Sequence, residues 1–286
     1  MRLRTATASL ALLTALTAAP SAQWPHHPVP GAPRLPDGRV DLAAPAPTFL
    51  DGKPDLSGVW ENPGWREAAV ASGAISGVGG APASRSAGGA RAPVPSIAAF
   101  FDVGTLLPDG LPLQPWARAL RDRRAADHAK DNPDAHCLPL GNMQLHLHPQ
   151  PRKIVQSAHV LVVLYEANAG VRQIFTDGRP LPANDPQPWW FGYSTGRWEG
   201  NTLVVETSSF RDGGWLDVNG SPLSDTARMT ERFRRLNYGT LEVQVTVDDP
   251  GAYSRPWTVT LTQRLLPDDE LIEFVCQENE KSSARF

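Results

Sequence analysis

Beyond residue 150, hydrophobic and polar residues alternate in short runs that are separated by turn-forming residues. In 240–247 every second residue is Leu or Val, and in 257–262 the apolar residues alternate with Thr. Because successive side chains of a strand point to opposite faces, this pattern predicts β-strands with one buried face. The predicted strands are 153–157, 160–166, 171–176, 191–198, 202–208, 228–236, 240–247, 257–265 and 271–277.

The links between these runs are short, at 168–170, 199–201, 237–239 and 267–269. Short links join antiparallel neighbours. About nine such strands can close into an up-and-down barrel, which leaves no exposed edge, or divide into a sandwich. The pattern therefore predicts an all-β fold, with a lipocalin-like antiparallel barrel favoured over a sandwich. We expect the strands to surround a hollow walled by Trp side chains.

Residues 1–22 have the pattern of a secretory signal peptide. Arg2 and Arg4 precede an apolar run at 10–16, which is followed by small residues at 18–22. The run is shorter than the roughly 20 residues that cross a bilayer as a helix. We therefore expect a periplasmic or secreted protein with no membrane span.

The rest of the chain divides by composition. The Pro-rich residues 23–66 predict an extended arm that includes a first short strand. Residues 67–99 are mostly Ala, Gly and Ser and predict a flexible insertion. Residues 100–286 are the predicted β domain. It follows an irregular N-terminal region and includes one short helix near 115–130, because Pro115 suits a first turn and the next residues recur at helical spacing.

Composition and charge narrow the function classes. Of the 286 residues, 41% are hydrophobic and 20% are charged, which is typical of a folded protein. The net charge of -3 gives no general attraction to nucleic acid, so no nucleic-acid partner is predicted. The predicted partner is a small-molecule ligand or substrate.

The chain contains two cysteines, Cys137 and Cys276. In an exported protein, two such residues are more often joined than free. A disulfide that closes so long a loop would stabilise the fold by about 4–5 kcal/mol on the chain-entropy model. We predict this disulfide, with two buried free thiols as the alternative.

A dense group of aromatic residues falls between 188 and 215. Aromatic side chains grouped in this way line clefts and stack on planar or sugar-like ligands. The alternative for each single Trp is that it fills the core. The predicted ligand-binding residues are Trp189, Trp190, Tyr193, Arg197, Trp198 and Trp215.

Three carboxylates near this group are candidates for general acid and base chemistry: Asp217, Asp225 and Glu231. Glu231 shares a predicted strand face with apolar residues, so its charge needs a partner. We expect Arg197 or Arg235 to provide it. A structural ion pair and a catalytic acid are both open interpretations of Glu231.

His146 and His148 form an H-x-H pair, which on a strand would direct both rings to one side, as a zinc or copper site requires. No third ligand can be identified, and exposed polar residues are the favoured interpretation, so no metal is predicted. The sequence lacks a Gly-rich phosphate loop after a strand, a G-x-S-x-G elbow and a C-x-x-C pair. We therefore predict no cofactor.

Three motifs carry a resemblance to a known group of proteins. GRWEGNTLVVET at 196–207, TERFRR at 230–235 and TVDDP to PW at 246–257 resemble a large group of mostly uncharacterised exported bacterial proteins. The resemblance implies export and a shared fold more than an activity. Members of the group often carry His at the position of Leu223, so chemistry that depends on that His does not carry over to this chain.

Together these features predict an exported barrel protein that binds a small amphipathic or aromatic ligand in an aromatic-lined pocket. The alternative is a cofactor-free lyase, isomerase or hydrolase that uses the carboxylates for proton transfer. A third class, in which the Pro-rich arm captures an envelope partner, is less favoured.

Overall fold

The computed structural model describes residues 28–63, 102–183 and 187–278. Within these ranges the chain forms a closed barrel of nine strands, so the predicted barrel is confirmed. The predicted signal peptide and the predicted insertion at 67–99 lie outside the described residues. The strands are β1 (Gly58–Glu61), β2 (Arg152–Gln156), β3 (Val160–Tyr165), β4 (Val171–Phe175), β5 (Tyr193–Glu199), β6 (Thr202–Ser208), β7 (Gly214–Trp215), β8 (Pro222–Leu223), β9 (Arg228–Asn237), β10 (Thr240–Asp248) and β11 (Trp257–Leu265).

Strands that are neighbours in the barrel wall follow one another along the chain, apart from β7 and β8, which form a separate two-stranded sheet. β1 closes the wall by pairing with both β2 and β11. The described wall strands pair antiparallel except at the β4–β5 seam. There the two strands run parallel and pair only through Ile174 with Ser194 and Phe175 with Thr195. The barrel is therefore mixed: its described wall strands pair antiparallel except at the short parallel β4–β5 seam.

The predicted strand at 271–277 is wrong. These residues follow β11 without joining the sheet, and Ile272 and Val275 remain half exposed. The ninth wall strand is β1, which occupies the edges of both β2 and β11. A closed barrel has no free edge, so alternation alone could not give 271–277 a partner.

Two α-helices precede β2 in the described chain: α1 (Pro115–Ala126) and α2 (Asn142–Leu147). α1 is the predicted helix, and it ends where His128 and Ala129 adopt left-handed backbone conformations. α2 was not predicted. All six of its residues are buried, whether polar or apolar, so it lacks the exposed polar face that gives a surface helix its period in the sequence. Short 3-10 helices lie at Val103–Leu106, Pro133–His136 and Ala167–Ala169.

The core fills the barrel from its inward faces. Every second residue of β10 and β11 is buried, in the alternation that the sequence predicts. Apolar residues of α2 and of the arm, including Leu145, Leu56 and Trp60, belong to the same core cluster. The helix and the arm are therefore packed parts of the barrel.

The described part of the arm is attached to the barrel by backbone and side-chain hydrogen bonds. The backbone N–H of Gly239, in the β9–β10 turn, donates to the Leu42 carbonyl at 2.8 Å. The Arg34 guanidinium binds both carboxylate oxygens of Asp268 at 2.8 and 2.9 Å. The Arg235 side chain donates to the Asp55 carbonyl at 2.6 Å. Among the described residues, no helix is long and apolar enough to span a bilayer.

The predicted disulfide between Cys137 and Cys276 is confirmed, with the two Cα atoms 5.7 Å apart. Cys137 follows the 3-10 helix Pro133–His136, and Cys276 lies in the irregular segment after β11. The disulfide therefore attaches the segment after β11, which does not join the sheet, to the rest of the protein.

Replacing both cysteines by Ser should lower the free energy of unfolding by up to about 5 kcal/mol, because the unfolded chain regains the entropy of a long open loop. Urea unfolding of the wild type and of the Cys137→Ser/Cys276→Ser variant measures this difference. Dithiothreitol should lower the stability of the wild type and leave the variant unchanged. A variant as stable as the oxidised wild type would show that the cross-link does not contribute to stability.

Candidate functional site

A cluster of charged side chains lies inside the barrel around Glu231. This residue points inward from β9 and has no exposed surface. Arg172 of β4 donates from Nη1 to Oε1 at 2.9 Å and from Nη2 to Oε2 in a second, shorter hydrogen bond. The Nε2 atom of His146, on α2, lies 2.6 Å from Oε1. Both carboxylate oxygens are therefore bound by buried partners.

Arg172 also connects the strands on each side of the β4–β5 seam. Its Nε and Nη2 atoms donate to Ser194 Oγ at 3.2 and 3.0 Å, and Nη2 donates to Thr207 Oγ1 at 3.0 Å. Ser194 and Thr207 belong to β5 and β6, and their hydroxyl oxygens are 2.9 Å apart. One guanidinium therefore joins side chains of β5, β6 and β9, where backbone pairing between β4 and β5 is short.

The electrostatics of the cluster keep Glu231 ionised. Burial alone would raise the pKa of Glu231, but the charge and hydrogen bonds of Arg172, with the hydrogen bond of His146, outweigh burial and lower it to about 2. Burial lowers the pKa of His146, so its ring is neutral and donates its Nε2 proton to the carboxylate. This arrangement favours the ion-pair interpretation of Glu231 over a role as a proton donor.

The expected partners of Glu231 were wrong. Arg197 points outward and pairs with Glu206 at 2.7 Å, and the Arg235 guanidinium donates to backbone carbonyls. Arg172 was missed because β4, with the sequence VRQIF, carries apolar residues on both faces, so the pattern does not show that Arg172 points inward.

The barrel interior has little free space. A cavity of about 10 Å³, lined by residues that include Trp60, His146, Arg152 and Gln263, has room for about one water molecule. Arg152 is buried, and among the described residues its Nε and Nη2 atoms have no hydrogen-bond partner. Burial lowers its pKa to about 10, so it remains charged at neutral pH. This cavity is too small for the organic ligand that the sequence predicts.

An aromatic cleft of about 280 Å³ lies on the outer surface over the β4–β5 seam. Ile174 and Arg172 point inward from β4, so Phe175 points outward, and Tyr193 of β5 likewise alternates with the buried Ser194. The rings of Phe175 and Tyr193 are 5.3 Å apart between centroids. The cleft is lined by Pro139, Val171, Arg172, Gln173, Phe175, Trp189, Trp190, Phe191, Gly192, Tyr193 and Ser194.

The segment before β5 supplies most of the aromatic wall. Trp189 packs against Tyr193 with ring centroids 5.5 Å apart and is 42% exposed. The backbone N–H of Trp189 donates to the Ser209 carbonyl at 3.0 Å. Asn142 of α2 donates from Nδ2 to the Phe191 carbonyl at 2.7 Å. The wall is therefore fixed to β6 on one side and to α2 on the other.

The structure brings some of the predicted ligand-binding residues together and separates others. Trp189, Trp190 and Tyr193 line one cleft. Trp198 packs against the core, and Trp215 is buried on β7. Phe175 and Phe191, which also line the cleft, were missed because a single residue in a strand gives no signal of a shared surface.

The three predicted carboxylates do not lie together. Asp217 is fully buried and accepts hydrogen bonds from the Ser221 backbone N–H at 3.0 Å and Oγ at 2.8 Å. Burial raises the pKa of Asp217 to about 6. Asp225 is exposed at a separate groove that Arg228 also lines. Neither borders the aromatic cleft, and neither contacts Glu231.

The two histidines differ from their predicted setting. His146 is buried on a helix, where we expected an exposed polar residue, and it binds Glu231. His148 follows α2 as its C-cap. Within the described residues, no group of three or more His, Cys, Asp or Glu side chains is placed to hold a metal ion.

Comparison of the chain with protein-family models, with curated proteins and with solved structures found no match. The resemblance to exported bacterial proteins therefore remains a prediction. Its motifs fall on β5 and β6, on β9 and at the end of β10.

Replacing Glu231 by Gln should lower the free energy of unfolding by about 3–5 kcal/mol, because it leaves the buried Arg172 charge without a counter-charge. The matched control is Glu206→Gln, which removes an exposed carboxylate paired with Arg197 and should have only a small effect. Urea unfolding at neutral pH measures both. Equal losses in the two variants would contradict the proposed importance of the buried pair.

The same pair has a pH signature. The pKa of Glu231 is about 2 in the folded protein against an ordinary value of 4.5. Its stabilisation is therefore complete above about pH 4.5 and is lost as the pH falls towards 2. Glu231→Gln should lack this part of the acid dependence.

Gly192→Ala should destabilise the protein and disturb the cleft. Gly192 has a φ of +67°, and a Cβ atom there would lie 2.6 Å from Thr207 Cγ2 and 2.8 Å from the Ser208 carbonyl oxygen. The control is Gly200→Ala, because Gly200 has a φ of +57° and open space around the added atom. We expect about 1–2 kcal/mol from backbone strain in both variants. The clash should add about 1–3 kcal/mol in Gly192→Ala alone. Equal losses on urea unfolding would be the contrary result.

Proposed function

We propose that this protein is an exported binding protein that holds a small planar or amphipathic organic molecule in the aromatic cleft over the β4–β5 seam. The observation that carries the proposal is the convergence of five aromatic residues on one cleft: Phe175, Trp189, Trp190, Phe191 and Tyr193. Their flat apolar faces suit a ring that stacks between them. A volume of about 280 Å³ suits a ligand of one or two fused rings.

The rigidity of the cleft supports this function. Phe175 and Tyr193 lie on wall strands whose neighbouring residues, Ile174 and Ser194, are buried. The segment with Trp189 is held by backbone hydrogen bonds to Ser209 and Arg211. A cleft that is already ordered loses little side-chain entropy when a ligand enters.

Export is the other part of the proposal. Its support is the disulfide between Cys137 and Cys276, since disulfides persist in oxidising compartments. The signal-peptide pattern at 1–22 supports the same location. The enzyme alternative has less support, because Asp217, Asp225 and Glu231 lie apart from one another and from the cleft.

The test uses 2-naphthamide, an uncharged two-ring probe, with affinity measured by isothermal titration calorimetry. Trp189→Ala should weaken binding by about tenfold, the equivalent of about 1.4 kcal/mol for one lost stacking ring. The matched control is Trp116→Ala, which removes a 50% exposed Trp of α1 that does not line the cleft. No binding to the wild type, or the same loss in both variants, would refute the proposed site.

A further inference from the structure

We infer that the molecule bound in the cleft is an aromatic anion, and that Arg211 supplies its counter-charge. This inference rests on the proposed function. Arg211 follows Phe210 in the connection between β6 and β7. Its backbone N–H donates to the Trp189 carbonyl at 2.9 Å, and its guanidinium carbon lies 5.3 Å from the Trp190 ring centroid. Arg211 is therefore placed by two residues that line the cleft.

The guanidinium of Arg211 is available to a ligand. The side chain is exposed, and within the described ranges it forms no ion pair. The carboxylate of the neighbouring Asp212 accepts the Gly213 backbone N–H at 2.9 Å. The cation–π contact with Trp190 uses no hydrogen-bond donor of the guanidinium, so its N–H groups can still donate to a ligand.

The other arginines near the cleft are already neutralised. Arg179 stacks on Phe175 at 3.9 Å, but it is paired with Asp177 at 2.6 Å. Arg172 lines the cleft, but its side chain points into the barrel and binds Glu231. Arg211 is therefore the described cation next to the cleft whose charge is not matched by a neighbouring carboxylate.

The lining of the cleft favours a negative charge for a second reason. None of its lining residues is an Asp or a Glu, so an acidic group on the ligand meets no repulsion there. A carboxylate or sulfonate substituent on a ring that contacts Trp190 would lie beside Arg211, whose guanidinium carbon is 5.3 Å from the Trp190 ring centroid. Guanidinium binds such planar oxyanions through paired hydrogen bonds. The ligand class is therefore an aromatic ring that bears one acidic group.

The test compares two probes of the same shape, 2-naphthoate and 2-naphthamide, by calorimetry at low and high salt. The wild type should bind the carboxylate about fivefold more tightly than the amide at low salt, and the difference should shrink as salt screens the charge. Arg211→Gln should abolish the difference, because the carboxylate then binds no more tightly than the amide. Arg118→Gln, which removes an exposed arginine of α1, should retain it.

Each outcome separates this inference from the function on which it rests. If the amide binds and the carboxylate binds no better, the cleft stands and the role of Arg211 is overturned. A preference for the carboxylate that survives Arg211→Gln also overturns it. Binding of neither probe to the wild type overturns the cleft itself, and this inference with it.

Discussion

Glu231 sits in the middle of the barrel with no exposed surface, and its negative charge has to be compensated there. Transfer of a lone carboxylate out of water costs many kcal/mol, so the fold is acceptable only if cationic and hydrogen-bonding groups surround it. Arg172 and His146 meet that requirement. The first comes from β4 and the second from α2, so one buried charge specifies where a wall strand and an internal helix must lie.

Arg172, the counter-charge of Glu231, also stabilises the β4–β5 seam, where backbone pairing is short. The β4–β5 seam has two residue pairs, and Arg172 adds hydrogen bonds to Ser194 and Thr207 across it. Because Arg172 faces inward, the residues beside it on β4 face outward and are free to line a surface cleft. The interior polar network and the exterior aromatic cleft are thus two faces of the same seam. The ligand site that we propose lies on the outer face of this seam.

The sequence predicts the parts of this structure that depend on local pattern. The strands β6 and β11 match their predicted bounds, since both are rich in β-forming residues and β11 alternates strictly. The predicted strand at 271–277 has a similar apolar content, but β1 had already closed the barrel. A segment can join a sheet only if the sheet has an unpaired edge strand. That depends on the whole sheet, so the local sequence pattern cannot show it.

The site was predictable to the extent that its residues are adjacent in the chain. Trp189, Trp190 and Tyr193 form a visible group, and the structure brings them together. The partners of Glu231 were missed because Arg172 is 59 residues away and His146 is 85 residues away. Trp215 belongs to the same stretch of sequence but is buried on β7, so density of aromatic residues does not by itself define a binding surface.

The separation between core and cleft has a consequence for how binding energy is used. Phe175 and Tyr193 are held by the buried residues that alternate with them on β4 and β5, so they stay in place when the cleft is empty. A ligand that stacks on them does not have to order the site first, and little of its contact energy is spent on conformational entropy. Because the cleft is open and small, a modest number of contacts has to supply the affinity. A single unmatched cation at its rim, Arg211, then changes the affinity of acidic and neutral ligands of the same shape by different amounts.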